Sequence, residues 1–300
     1  MKRFLILLAA VLLAGACAPK KAEKARFDHV IVLGFDGLAG WTLAENADAM
    51  PNLRAMMAEG AWTLHKRSIL PTSSAANWAS MFMGAGPDGT GYIEWNSQAP
   101  HFTPSAEGGV PTVFRVLRDN CPEAEIGAFW QWEGIKYCVD TTALSSRAKF
   151  DGSLEGIDAM ADFAANYFKE KKPALAAFCW DYPDHVGHAS GWGSPEYYED
   201  LAQLDKAIGT VRAAVEESGL ADRTLVIVTA DHGGHDKGHG KPLDEDLFAP
   251  FVAVGPGVKA GHELAVPMYE YDIAATIANA LGVNDFPSSW RGLPILDLYN

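Results

Sequence analysis

Five short apolar runs, 29–35, 125–130, 174–180, 224–230 and 250–255, are the feature that most limits how this chain can fold. A strand with one face in water alternates apolar and polar residues, whereas a strand covered on both faces reads as a continuous apolar run. These five are of the second kind. Between them lie stretches that read as helices, 50–59, 75–83, 110–119, 153–171, 195–218 and 271–281. The alternation predicts an α/β fold with a central, mainly parallel sheet and helices on both faces. In such sheets ligands gather at the carboxyl ends of the strands. Residues that immediately follow an apolar run therefore carry the functional argument.

The 300 residues are 48% hydrophobic and 21% charged, which is enough to bury a large core. Neither a repeat nor a Gly/Pro-rich linker divides them, and one catalytic domain over 27–300 is the simpler expectation. A formal charge of −14 excludes general binding to a phosphate backbone, which needs basic stripes that displace counterions. An anionic substrate would have to be met by local charge, and bound divalent cations are the obvious means.

Residues 1–16 read as an export signal: Lys2 and Arg3 precede the apolar run 4–13, and Ala14, Gly15 and Ala16 lead into Cys17. The run is too short to span a bilayer as a stable helix. Cys17 after small residues suits a lipidated bacterial cysteine, with 17–26 as tether and the membrane touched only through that anchor. A soluble periplasmic form is the alternative. Export would permit a disulfide between Cys121 and Cys138, which flank an apolar run, and their remaining free is equally open. Cys179 lies within a predicted strand and reads as a small buried hydrophobe.

Four segments at predicted strand ends hold side chains suited to metals. Asp36 follows the first run and is flanked by Gly34 and Gly37, which leave room for close approach. Asp231 and His232 follow the fourth run in the same way, offering one oxygen and one nitrogen to an ion. After the third run, Asp184 and His188 stand four apart, so a helical turn would bring both to one face, while Asp181 and His185 would point elsewhere. His235 and His239 follow in the Gly-rich stretch after Asp231. Ser74 sits where extended chain gives way to a helix. There the free amides and dipole favour an alkoxide, although serine is also a preferred helix cap. Thr72 and Ser73 are weaker candidates for the same role.

Together Gly-Phe-Asp36-Gly, Pro-Thr-Ser-Ser74-Ala-Ala-Asn77-Trp, Pro-Asp184-His-Val-Gly-His188 and Asp231-His232-Gly-Gly with Gly-His239-Gly resemble the type I phosphodiesterase/nucleotide pyrophosphatase family of the alkaline phosphatase superfamily. The resemblance covers about residues 27–297. It implies an alkaline-phosphatase-like fold and two zinc ions, or other divalent metals. Asp184, His188 and His239 would hold one, and Asp36, Ser74, Asp231 and His232 the other. It further implies attack of the Ser74 oxygen on phosphorus and a phosphoseryl intermediate.

The chain departs from the family pattern in three places. Ala76-Asn77-Trp78 lacks the Pro and His that usually flank this Asn. Thr90-Gly91 stands where the family has His-Gly, and Asn96, the candidate phosphate-oxygen donor, comes one place late. The spacing from His232 to His239 is short. The substrate class expected is a small phosphate ester, with a phosphodiester first because no Arg or Lys accompanies the Ser74 segment. Lys66, Arg67, Lys237 and Lys241 are the nearest cations that oppose this. A phosphomonoesterase or phosphotransferase, and an inactive surface-binding lipoprotein, are the alternatives. The Cys-x-Pro-x-Arg pattern from which sulfatases make their nucleophile is absent. Trp41, Trp78, Tyr92, Trp95, Trp130, Trp132, Tyr182 and Trp192 fall near the site loops, most of them read as core.

Overall fold

The computed structural model describes residues 25–94 and 109–300. Export signal, Cys17, Trp95 and Asn96 lie outside the described residues. Eight strands form one sheet: β1 (His29–Phe35), β2 (Ala61–Arg67), β3 (Ile126–Trp130), β4 (Ser146–Lys149), β5 (Leu175–Trp180), β6 (Thr224–Ala230), β7 (Phe248–Val254) and β8 (His262–Glu263). Their order across the sheet is β4-β3-β5-β1-β6-β7-β2-β8. Only β7 runs against its neighbours, β6 and β2; the other pairings are parallel. The expectation of a mainly parallel sheet is met.

The helices are α1 (Gly40–Glu45), α2 (Pro51–Glu59), α3 (Ser74–Met83), α4 (Pro87–Thr90), α5 (Val113–Asn120), α6 (Ile135–Cys138), α7 (Leu154–Lys171), α8 (Asp184–Ser190), α9 (Pro195–Glu217), α10 (Asp244–Leu247) and α11 (Asp272–Ala280). Successive side chains of β1 point to opposite faces. Val30 and Val32 enter a core shared with α3, α5 and α11, whereas Ile31, Leu33 and Phe35 enter one shared with α2, α7 and α9. Burial on both faces explains why β1, β3, β5 and β6 read as unbroken apolar runs.

Cys121 and Cys138 are both free, which corrects the disulfide alternative. Cys121 is exposed beyond the end of α5, whereas the buried Cys138 thiol lies 3.8 Å from the Ala75 carbonyl oxygen. Cys179 is buried in β5 as expected. No helix among the described residues is long and apolar enough to cross a membrane.

Candidate metal centre

Three adjacent central strands deliver the acidic residues. Asp36 follows β1, Asp231 follows β6, and Asp184 opens α8 four residues after β5. All three leave the carboxyl edge of the sheet. Two glycines make the crowding around Asp36 possible. A Cβ at Gly34 would lie 2.5 Å from the Trp78 ring, and one at Gly37, where φ is +72°, would lie 2.8 Å from the Asp184 Cβ. The turn predicted for Asp184 and His188 is α8. It places His188 Nε2 3.4 Å from Asp184 Oδ2.

The histidines share one arrangement. Nδ1 of His188 faces the Lys237 carbonyl at 3.0 Å, that of His232 the Gly233 carbonyl at 2.7 Å, and that of His239 the Thr72 carbonyl at 2.6 Å. A carbonyl only accepts, so each Nδ1 carries a proton, and in the neutral ring Nε2 is then the lone pair. These lone pairs converge. His239 Nε2 lies 3.1 Å from His188 Nε2 and 3.6 Å from Asp184 Oδ1, and His232 Nε2 lies 3.4 Å from Asp36 Oδ1 and 3.5 Å from Asp231 Oδ2. Ligand atoms of Asp184, His232 and His239 fall within 4.8 Å of one another, as do those of Asp36, Asp231 and His232. His232 thus stands between the two groups.

Electrostatics agree with a site built for cations. Burial raises the Asp36 and Asp184 carboxyls well above the ordinary carboxylate range, and Asp231 pushes both further. Burial also takes Asp231 up to about 6, although the Gly37 and His232 amides on its Oδ1 pull it back. His232 is lowered to about 4 and His239 to about 3, chiefly by burial, so both rings are neutral at pH 7. Asp184 Oδ1 and Asp231 Oδ2 are buried without a hydrogen-bond partner. Orphaned carboxylate oxygens facing unprotonated imidazole nitrogens fit divalent metals, which take one oxygen and one nitrogen donor alike.

Ser74 is the first residue of α3, and Ser73 occupies the cap position, so capping does not account for Ser74. Its Oγ lies 3.4 Å from Asp36 Oδ1 and 3.3 Å from His232 Nε2. It opens onto a cavity of about 810 Å³, lined also by Ile93, Glu94, Trp132, Asp181, Asp184, His188 and His239. Thr72 is no rival nucleophile: its Oγ1 accepts from the Gly240 amide at 2.9 Å while its carbonyl holds His239.

None of the four cations weighed against a diester, Lys66, Arg67, Lys237 and Lys241, lines the described cavity. Lys66 is fully buried, Lys237 donates to the Ala189 carbonyl, and Lys241 Nζ lies 3.2 Å from His235 Nε2. Of the described aromatic residues singled out in the sequence, only Trp132 lines the cavity. Trp78 is core, as read, but its Nε1 also donates to Asp36 Oδ2 at 3.1 Å. Asp181 departs from expectation, because it faces the cavity and burial raises it to about 6. Sequence reasoning missed Asp246. Its carboxylate takes His235 Nδ1 at 2.6 Å and the Lys241 amide at 2.9 Å, and its carbonyl takes the Gly233 amide at 2.9 Å, which pins the loop that carries His239.

Comparison with known proteins finds both phosphodiesterases and sulfatases, and a family profile singles out the former. The profile described as type I phosphodiesterase / nucleotide pyrophosphatase matches residues 30–246. Human ectonucleotide pyrophosphatase/phosphodiesterase family member 7 is 24% identical over 247 residues, 76% of this chain and 52% of that protein, so the chain spans about half the length of this relative. Among solved structures, murine ectonucleotide pyrophosphatase/phosphodiesterase 5, an inactive variant in complex with AMP, superposes with a TM-score of 0.74 at 15% identity over 93% of this chain and 100% of that one. A 2-O GAG sulfatase superposes with a TM-score of 0.71 at 12% identity over 90% of this chain and 73% of that one. The two structures share the alkaline-phosphatase-like fold with this chain. With the profile covering well over half of the sequence, the chain belongs to the type I phosphodiesterase / nucleotide pyrophosphatase family.

Proposed function

We propose that the protein is a two-zinc hydrolase of phosphodiesters that works through a phosphoseryl intermediate on Ser74. The observation that carries this is the position of Ser74 Oγ, at the start of a helix, within reach of Asp36 and His232 and open to the cavity. Asp184, His188 and His239 would hold one metal, and Asp36, Asp231, His232 and the Ser74 oxygen the other. Two divalent cations in these places would lower the cost of ionising Ser74 and stabilise charge on the departing oxygen.

The chain's own groups account for the rest. Ser74 gives up its hydroxyl proton to solvent, and its Oγ forms a bond to phosphorus as the bond to the leaving oxygen breaks; the leaving alkoxide takes a proton from solvent. Water then attacks the same phosphorus, one of its protons passes through solvent to Oγ as the bond to Oγ breaks, and the phosphate monoester departs. Amides at the start of α3 face the developing negative charge. The Nδ1 anchors keep every imidazole turned inward throughout.

A diester is favoured because no Lys or Arg lines the described cavity, so nothing there clamps the second charge of a monoester. Nucleotides enter the reading through the AMP bound to the murine structure and the aromatic face of Trp132. Asn96 remains the proposed donor to a phosphate oxygen. Residues 1–16 are proposed to direct export and Cys17 to carry a lipid anchor, with the soluble periplasmic form as the alternative.

The test is hydrolysis of bis-p-nitrophenyl phosphate, a p-nitrophenyl nucleotide ester and p-nitrophenyl phosphate by zinc-loaded protein. Ser74→Ala is expected to abolish diester cleavage with zinc content unchanged. Turnover that survives in Ser74→Ala would refute the nucleophile, and a monoester preference would move the protein to the phosphatase branch.

A further inference from the structure

Lys66 and Glu270 are both completely buried and form an ion pair, and neither lines the cavity. The fold goes to some length to place them. Pairing between β2 and β7 slips between Thr63 and Lys66, so the irregularity lies in β2 immediately before the lysine. Glu270 is held in turn by its amide, which donates to the Arg67 carbonyl at 3.0 Å.

Lys66 Nζ makes one further bond, at 2.7 Å, to the carbonyl of Ala230. That residue ends β6, immediately before Asp231 and His232. β7 pairs with β6 only as far as Thr229, so the lysine supplies a hydrogen bond just past the end of that ladder. Downstream, the hydrogen bonds that hold the Asp231 carboxylate come from backbone amides. Its Oδ1 is held by two backbone amides, and its Oδ2 has no partner, so the carboxylate points where the backbone aims it.

A buried ion pair contributes little to stability, because desolvation offsets the attraction, and apolar side chains of similar volume usually fill the space at least as well. We infer that Lys66 and Glu270 are a positioning pair: by fixing the Ala230 carbonyl they set the direction in which Asp231 and His232 leave β6 toward the metals. This rests on the two-metal reading of the site. Groups one step behind the ligands typically change metal affinity or activity 10–100-fold when removed, on the order expected here.

The experiment is calorimetric titration of zinc alone into chelator-stripped full-length protein, for the unaltered chain, Lys66→Met, Glu270→Gln and the double variant Lys66→Met/Glu270→Leu. Glu270→Gln still accepts from Lys66 and is expected to bind zinc like the unaltered chain. Lys66→Met and the double variant are expected to lose roughly 10–100-fold in affinity for one of the two zinc equivalents. Under saturating zinc their kcat for bis-p-nitrophenyl phosphate should fall while KM holds. Leaving no unpaired charge in the interior, the double variant separates lost positioning from lost folding, and its melting temperature should match the unaltered chain. A folded double variant that binds both zinc equivalents with unaltered affinity would overturn the inference. Should the unaltered protein bind zinc yet cleave no phosphate ester, the reaction proposed above fails while the zinc comparison still decides the role of the pair.

Discussion

Asn77 ties together the strand exit and the start of α3 from a fully buried position. Its Oδ1 accepts from the Ile69 amide at 2.6 Å, and its Nδ2 reaches the carbonyls of Ile69, Pro71 and Ser73 at 3.0–3.2 Å. Removing it would orphan several buried backbone groups at once, at about 1–3 kcal/mol for each one left unsatisfied. Asn77→Ala is therefore expected to lower the urea midpoint by the equivalent of roughly 2–4 kcal/mol. A midpoint unchanged within error would show that water takes over these bonds. At this scale the sequence was legible wherever a residue's type alone announces chemistry. The structure brings Asp36, Asp184, His188, Asp231, His232 and His239, each singled out by its type and motif, around one centre. Roles that depend on a partner far along the chain were not legible. Nothing local to Trp78 signals its bond to Asp36, and nothing local to Asp246 signals that it pins the loop carrying His239.

Elements covered on both faces announced themselves, and half-exposed ones did not. β1, β3, β5, β6 and β7 appear within two residues of the runs read for them, as do all six helices except α5, which starts later than read. β2 went unread because its burial alternates, with His65 exposed and Lys66 buried in a strand that ends in His, Lys and Arg. β4 was missed for the opposite reason. It is an edge strand of sequence Ser-Arg-Ala-Lys with alternate residues exposed, so no apolar run marks it. β8, at two residues, and the one-turn helices α4, α6 and α10 are too short for any period to show. The antiparallel sense of β7 is also invisible locally, since its two-sided burial matches that of its parallel neighbours.

Over the whole molecule, the buried charge of the site couples folding to pH. Asp36 and Asp184 sit well above their value in an unfolded chain, about 3.9, and Asp231 sits at about 6, so the metal-free fold holds protons that the unfolded chain releases. That makes stability fall as pH rises. His232 and His239 are lowered and act in the opposite sense, but only below their unfolded value of about 6.5. Above it the carboxyls act alone. The melting temperature of chelator-stripped protein is therefore expected to fall from pH 6.5 to 8.5. Saturating zinc should flatten that slope without erasing it, because Asp200, raised to about 7 by burial, adds to the fall from outside the proposed ligand set. A stripped protein whose melting temperature rises over that range would contradict this account. The proposed ligands also come from chain positions 36 to 239, on segments that meet only when β5, β1 and β6 lie side by side. No short segment holds a complete set, so such pairing, distant in sequence, must precede the site. An ion that recognises only the finished array stabilises the native state and leaves the folding barrier untouched. Zinc in a refolding buffer should leave the refolding rate unchanged and slow unfolding in denaturant. Refolding that accelerates with zinc would mean that part of the array forms before the sheet closes.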